Sequence, residues 1–261
     1  MESGQKNRSD ETRAALLPAF FHLHAVDECG STNDVAKQMA GDGAPEGTLV
    51  WALRQTAGRG RRGRAWSSEP GNLACSLILR PSLPAGEAAL TSFVAAVAVG
   101  EAVSALVPGK VTLKWPNDVL VDGAKISGIL LESEAGGKGS VDWLVLGVGI
   151  NVRHCPAEAL YPATSMLAAG ADVSVEHVLT AYAGAFEVWY QRFLRQGFAP
   201  IRAAWLNAAQ GLGGAVTIRL QDEAFTGRLV DMDEGGVLIV ETGGGVRRIT
   251  AGDVFFPGGG A

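Results

Sequence analysis

Three cysteines in 261 residues are too few for a disulfide framework, and none forms a Cys-x-x-Cys pair. Cys29, Cys75 and Cys155 are odd in number and far apart, so they read as free thiols of a reducing cytoplasm and not as zinc ligands. The four histidines, His22, His24, His154 and His177, lack metal-ligand spacing. No G-x-S-x-G or comparable nucleophile–base signature occurs, so nothing points to a covalent enzyme intermediate. No uninterrupted apolar run reaches the ~18 residues of a membrane span. The first thirteen residues hold six charged side chains and no apolar h-region, which argues against a secretory leader. Positive charge is not in excess either. Lys+Arg 22 against Asp+Glu 27 gives a net charge of −5, unsuited to coating nucleic acid.

Apolar residues are abundant: 47% of the chain is hydrophobic and 19% charged, enough for a substantial core. Glycine is also plentiful, 35 residues against a usual share of ~7%. Residues 1–15 are polar and read as a mobile tail. Phe20–Val26, Thr48–Leu53, Asn72–Leu79, Val111–Lys114 and Trp143–Val148 read as strands. Val119–Val121 and Lys125–Glu132 read as a hairpin turned by Asp122-Gly123. Gly30-Ser31-Thr32-Asn33-Asp34 offers caps for a short helix, and Gly86–Val107 has helical period. Val175–Arg195 carries Leu179, Tyr182, Phe186, Trp189, Tyr190 and Phe193 on one stripe, as an amphipathic helix does. Composition changes near Gln210, where short β-like runs begin. The expected fold class is α+β, with a large domain over 16–210 and a small barrel-like β domain over 211–261.

The strongest local signal is Gly58-Arg59-Gly60-Arg61-Arg62-Gly63-Arg64-Ala65-Trp66, four arginines within six positions, interleaved with glycine and followed by a large aromatic. Dense cation, a permissive backbone and a flat apolar face suit a small phosphorylated ligand carrying a ring. The segment matches G-x-G-x-x-G in form, but it opens no helix, and Leu79-Arg80-Pro81 stands where a dinucleotide fold needs an acidic residue. Four arginines also fall short of the ~6–10 phosphate contacts of duplex binders. A nucleic-acid grip and a plain solvated loop stay open at this point. Lys114-Trp115-Pro116-Asn117-Asp118 ends a strand and sets an amide beside a carboxylate, either turn chemistry or a hold on Mg²⁺ or an amine. Lys125 stands at the mouth of an apolar strand, and Gly147-Val148-Gly149-Ile150-Asn151 closes another with a polar residue.

In this order, Ser31-Thr32-Asn33, Gln55 through Trp66, Lys114–Asp118, Lys125–Leu130 and Gly147–Asn151 resemble the biotin protein ligases. The resemblance runs from about residue 25 to the C-terminus. It implies a central mixed sheet flanked by helices, similar to class II aminoacyl-tRNA synthetases, and an SH3-like C-terminal barrel. It implies ATP and biotin as substrates, Mg²⁺ on the phosphates, a biotinyl-5′-AMP intermediate and transfer to a lysine of a biotin carboxyl carrier protein. By the same match, Arg61 and Lys125 would be catalytic. Ser31, Thr32, Asn33, Gln55, Arg59, Gly60, Arg61, Lys125 and Gly128 would bind biotin. Arg61, Trp66, Lys114, Asn117 and Asn151 would bind ATP or the adenylate, with Asn117 and Asp118 nearest the metal. Only about twenty residues precede the first strand, so no N-terminal helix-turn-helix, no repressor function and no DNA partner are expected. Neither is a membrane partner, and monomer and homodimer both stay open. The rival readings are a lipoate ligase or lipoyl transferase of the same fold, and a noncatalytic nucleic-acid binder. The polar Ser31, Asn33 and Gln55 favour a ureido ring over a dithiolane.

Overall fold

A computed structural model describes residues 17–157 and 161–257. The tail expected over 1–15 lies outside the described residues. The larger part begins with β1 (His22–Cys29), α1 (Thr32–Gly41), β2 (Thr48–Gln55) and β3 (Leu73–Leu79). α2 (Ala85–Ala88), α3 (Thr91–Ser104), β4 (Val111–Lys114), β5 (Asp118–Val121), β6 (Ala124–Ala135) and β7 (Val141–Ile150) follow. Two helices then close it, α4 (Val175–Gln196) and α5 (Ala199–Asn207). The seven strands form one mixed sheet in the order β1-β2-β3-β7-β6-β5-β4. β1 and β2 run parallel; every other neighbouring pair is antiparallel.

The near-continuous apolar runs of β2 and β3 arise because both faces of the sheet are covered. Val50, Ile78 and Val145 turn toward Ala36 and Ala40 of α1. Leu49, Trp51, Leu77, Leu79 and Leu146 turn the other way, into the core shared with α3 and α4. The α2–α3 stretch, Ala85–Ser104, is long and apolar enough to pass for a membrane span, yet it lies mostly buried in that core. The α4 stripe packs as its spacing predicts, with Tyr182, Phe186 and Tyr190 fully enclosed. Asp122 (φ 49°) and Gly123 (φ 82°) both take the left-handed region, as a two-residue hairpin turn requires.

Some expectations shift. The helix expected over 86–107 breaks at Ala89-Leu90 into α2 and α3. α5 was not expected, because its nine residues are too few to declare a period. The C-terminal part holds β8 (Ala215–Arg219), β9 (Ala224–Met232), β10 (Leu238–Thr242), β11 (Gly245–Ile249) and β12 (Asp253–Phe255). They form an antiparallel sheet in the order β11-β10-β9-β8-β12, consistent with an SH3-like fold. The three-residue β12 is too short for its alternation to be read from sequence, and it brings Asp253 and Phe255 to the larger sheet's mouth.

Among the contacts that fasten the small sheet to the large part, two involve α5 and the β4–β5 corner. Arg202 of α5 forks onto both carboxylate oxygens of Asp231 at 2.7 Å and also donates to the Met232 carbonyl. The buried indole N–H of Trp115 donates to the Gly236 carbonyl at 3.0 Å. Trp115→Phe keeps the packing ring but orphans that carbonyl, an expected loss of about 1–3 kcal/mol. Urea unfolding should show a lower midpoint with an unchanged slope.

Candidate active site

The site begins where a helix start, a strand end and a basic loop meet. Parallel pairing of β1 with β2 sets Cys29 opposite Gln55, so Ser31-Thr32-Asn33 lies beside Gln55. Ser31 is the extended residue before α1, but its hydroxyl makes no capping bond. The first helical N–H, that of Thr32, donates instead to Gln55 Oε1 at 2.7 Å, and Gln55 Nε2 donates to Ser68 Oγ at 2.7 Å. The basic segment leaves β2 and closes on itself. Gly60 N–H donates to the Arg64 carbonyl at 2.7 Å, and Trp66 N–H to the Gly58 carbonyl at 2.9 Å. At its tip Arg62 (φ 56°) and Gly63 (φ 72°) form a tight turn in the left-handed region.

The floor is a stretch of sheet without side-chain bulk. Gly128 pairs with Gly149, and Gly149 with Ala74; Leu130 pairs with Gly147, and Gly147 with Ser76. Paired residues share a face, so apart from Leu130 this face carries only glycine, alanine and serine at Gly128, Gly149, Gly147, Ala74 and Ser76. A cavity of about 510 Å³ stands above it, walled by the basic loop, the start of α1 and the β4–β5 corner. Every site residue singled out from the sequence lines this cavity: Ser31, Thr32, Asn33, Gln55, Arg59, Gly60, Arg61, Trp66, Lys114, Asn117, Asp118, Lys125, Gly128 and Asn151.

The four arginines are not equivalent. Arg59 makes two 2.6 Å bonds to Asp34, whose carboxyl is thereby held down at about 2. Arg62 and Arg64 share Asp253 of the small sheet, at 3.1 and 2.8 Å. Among the described residues Arg61 has no carboxylate partner; its nearest acceptor is Asn117 Oδ1 at 3.4 Å. Burial, with Arg62 beside it, pulls its affinity for its proton below the ordinary arginine value, against the opposite pull of Asp253 and Asp118. A guanidinium keeps its charge regardless, so Arg61 presents a positive charge to the cavity with no direct ion-pair partner among the described residues.

The remaining cations are deployed around it. Lys125 pairs with Asp118 at 2.5 Å and stands 5.6 Å from the Trp66 ring. The Lys114 amine is buried 3.6 Å above the Tyr161 ring, and burial drives its pKa down to about 8. Asn117 has its amide committed, Nδ2 donating to the Ile129 carbonyl at 2.5 Å and Oδ1 facing Arg61. Asn151 lies buried, its Nδ2 donating to the Thr164 carbonyl. No group of three or more His, Cys, Asp or Glu side chains poised for a metal exists among the described residues.

Several residues of the site escaped sequence reading. Tyr161 and Phe255, with ring centres 5.2 Å apart, form an aromatic wall beside Lys114. Asp253 straps the basic loop from some 190 residues away, a contact no local spacing signals. Asn72 is buried and accepts N–H bonds from Val152, Arg153 and His154 at 2.9–3.1 Å, holding the turn after Asn151. Sequence alone makes it the first residue of the strand expected over Asn72–Leu79, but the strand begins at Leu73 and Asn72 is a turn clamp.

The floor glycines give a direct test. A Cβ on Gly149 would land in the Trp66 indole, and one on Gly147 would strike the Asn33 side-chain oxygen. Gly149→Ala must displace Trp66 while leaving the sheet intact. A ligand affinity loss of about tenfold or more, with a shifted tryptophan emission and an almost unchanged melting temperature, is expected. Unaltered affinity would mean that the indole is not part of the site.

Comparison with known proteins agrees with this geometry. Residues 27–151 match the biotin/lipoate A/B protein ligase family, and residues 211–256 match the biotin protein ligase C-terminal domain. The chain is 41% identical over 236 residues to a biotin–[acetyl-CoA-carboxylase] ligase of Paracoccus denitrificans, covering 87% of this chain and 98% of that one. It is 37% identical over 263 residues to the bifunctional ligase/repressor BirA of Bacillus subtilis, covering 95% of this chain and 79% of that protein. Among solved structures it is similar to the biotin protein ligase of Aquifex aeolicus in complex with biotin and ATP. That match has a TM-score of 0.76 and 30% identity, and covers 90% of this chain and 97% of that one. The chain belongs to the biotin protein ligase family.

Proposed function

We propose that this cavity joins biotin to ATP and then passes biotin to a lysine of a carboxyl carrier protein or carboxylase domain. In the first step a biotin carboxylate oxygen attacks the α-phosphorus, the bond to the β-phosphate breaks, and pyrophosphate leaves. In the second, the lysine amine attacks the acyl carbon, AMP leaves with the bonding electrons, and the amine gives up a proton. Both first-step reactants are anions, so the step needs fixed positive charge where they meet. Arg61 is the observation that carries this reading: it is half-buried in the cavity wall, charged, and free of any carboxylate partner among the described residues.

Around it, Lys125 faces the carboxylate and phosphate end, together with Arg59 and Gly60. Arg59 would have to exchange Asp34 for the substrate, or stay as a loop brace. Ser31, Thr32, Asn33 and Gln55 read the ureido ring, while Gly128 leaves room for it. Trp66, Lys114 and Asn151 take the adenylate, with Tyr161 and Phe255 as the aromatic wall near the base. Mg²⁺ would arrive on the phosphates, as this ion usually does, needing only one or two carboxylates. Asp118 suits that role when Lys125 turns to the phosphate. The Asn117 amide is already engaged and suits it less. Three free thiols fit a reducing cytoplasm.

The test is pyrophosphate release from ATP-Mg²⁺ by the purified chain with biotin, lipoate or RNA added. Release should require biotin. Equal release with lipoate would refute the choice of substrate, and no release with either acid would refute adenylation altogether.

A further inference from the structure

Behind the cavity wall lies a chain of polar groups whose direction is set by one carboxylate. Glu132 of β6 sits on the same sheet face as the glycine floor, paired with Val145, but does not line the cavity. It accepts from Asn33 Nδ2 at 2.7 Å and from Lys37 Nζ at 2.8 Å. Burial works to raise its pKa, but the bonds from Lys37 and Asn33 outweigh that and lower it.

An ionised carboxylate only accepts, so Asn33 must turn its NH₂ to Glu132 and its oxygen the other way. That oxygen lies over Gly147 and 2.6 Å from Ser76 Oγ. An amide oxygen also only accepts, so the single Ser76 proton goes to it. The 2.7 Å contact between Ser76 Oγ and Thr32 Oγ1 must then take its proton from Thr32. Three contacts share two hydroxyl protons, so one is left bare, and it is the longest, Thr32 Oγ1 to Gln55 Oε1 at 3.0 Å, whose Oε1 already accepts the Thr32 N–H. Every hydroxyl proton in the chain therefore points toward Glu132. The Asn33 amide oxygen and the Thr32 lone pairs are left for the cavity.

We infer that Glu132, held by Lys37, is a positioning residue that fixes the direction Thr32→Ser76→Asn33 and so presents acceptors to the ring N–H groups of a cyclic urea. The inference rests on the biotin reading above and assigns its ring selectivity to a carboxylate outside the cavity.

Glu132→Gln reverses the chain. Lys37 Nζ, 2.8 Å from Glu132 and 3.0 Å from Asp34, can only donate, and it is closer than Arg59 at 4.0 Å, so the new amide turns its oxygen to Lys37 and its NH₂ to Asn33. Two donors then face each other, the Asn33 amide flips, and an N–H replaces the oxygen above the floor. Biotin affinity, read by titration calorimetry, should fall about 10- to 100-fold, with the KM for ATP unmoved. Adding Lys37→Met frees the glutamine to turn its oxygen back to Asn33, and most of the affinity should return. A purely structural role for Glu132 gives no such recovery. Wild-type chain that binds no biotin overturns the biotin reading and this inference with it. Wild-type binding with a Glu132→Gln affinity within about twofold, or with no recovery on Lys37→Met, overturns the inference alone.

Discussion

A guanidinium with no carboxylate partner among the described residues, in the wall of a glycine-floored cavity, is the constraint around which this molecule is arranged. Arg61 sits half-buried, a placement that desolvation and the nearby Arg62 oppose and that Asp253 and Asp118 only partly offset. The chain limits that cost by giving the other three arginines of the same loop carboxylate partners: Arg59 on Asp34, and Arg62 and Arg64 sharing Asp253. What is left is one guanidinium, Arg61, turned to the cavity without an ion-pair partner among the described residues, in place of a diffuse basic patch. That distinction separates a site for one small anion pair from a surface for nucleic acid. It also explains how an acidic protein can hold four clustered arginines.

The fold supplies the other half. A sheet covered on both faces ordinarily fills its interior with branched side chains, and the rows Val50, Ile78 and Val145 do so beneath α1. A few residues along, the same face carries Gly147, Gly149, Gly128, Ala74 and Ser76. The cavity exists because the strands continue while their side chains stop. Trp66 lies on Gly149 because nothing but hydrogen stands there, and Asn33 reaches over Gly147 for the same reason. The small sheet contributes at the rim, where Asp253 braces the loop and Phe255 joins Tyr161. A carboxylate behind the wall then sets the direction of the polar groups inside it.

Much of this was legible in the residues themselves. The central strands, the α4 stripe and the Asp122-Gly123 turn follow from period and from turn chemistry, which are local properties. The cavity residues were legible because they cluster in short motifs at strand ends and at one helix start. What could not be read depends on contacts across long stretches of chain. Nothing around Asp253 or Phe255 says that β12 folds back onto a loop near residue 60. Nothing around Glu132 says that it faces Asn33, since a strand-end glutamate looks solvent-bound. The split among the arginines is likewise invisible in Arg59-Gly60-Arg61-Arg62-Gly63-Arg64, because it is made by partners on α1 and β12. α5 and β12 escaped because nine and three residues carry too little pattern.

The most direct measurement is the lifetime of labelled biotinyl-adenylate on the purified chain, compared among wild type, Arg61→Ala and Arg62→Ala. If the unpaired charge is what holds the two anions, Arg61→Ala should shed the adenylate about 100-fold faster, while Arg62→Ala, whose charge is already spent on Asp253, should change the lifetime far less. Equal lifetimes for wild type and Arg61→Ala, or a larger effect at Arg62 than at Arg61, would contradict the account.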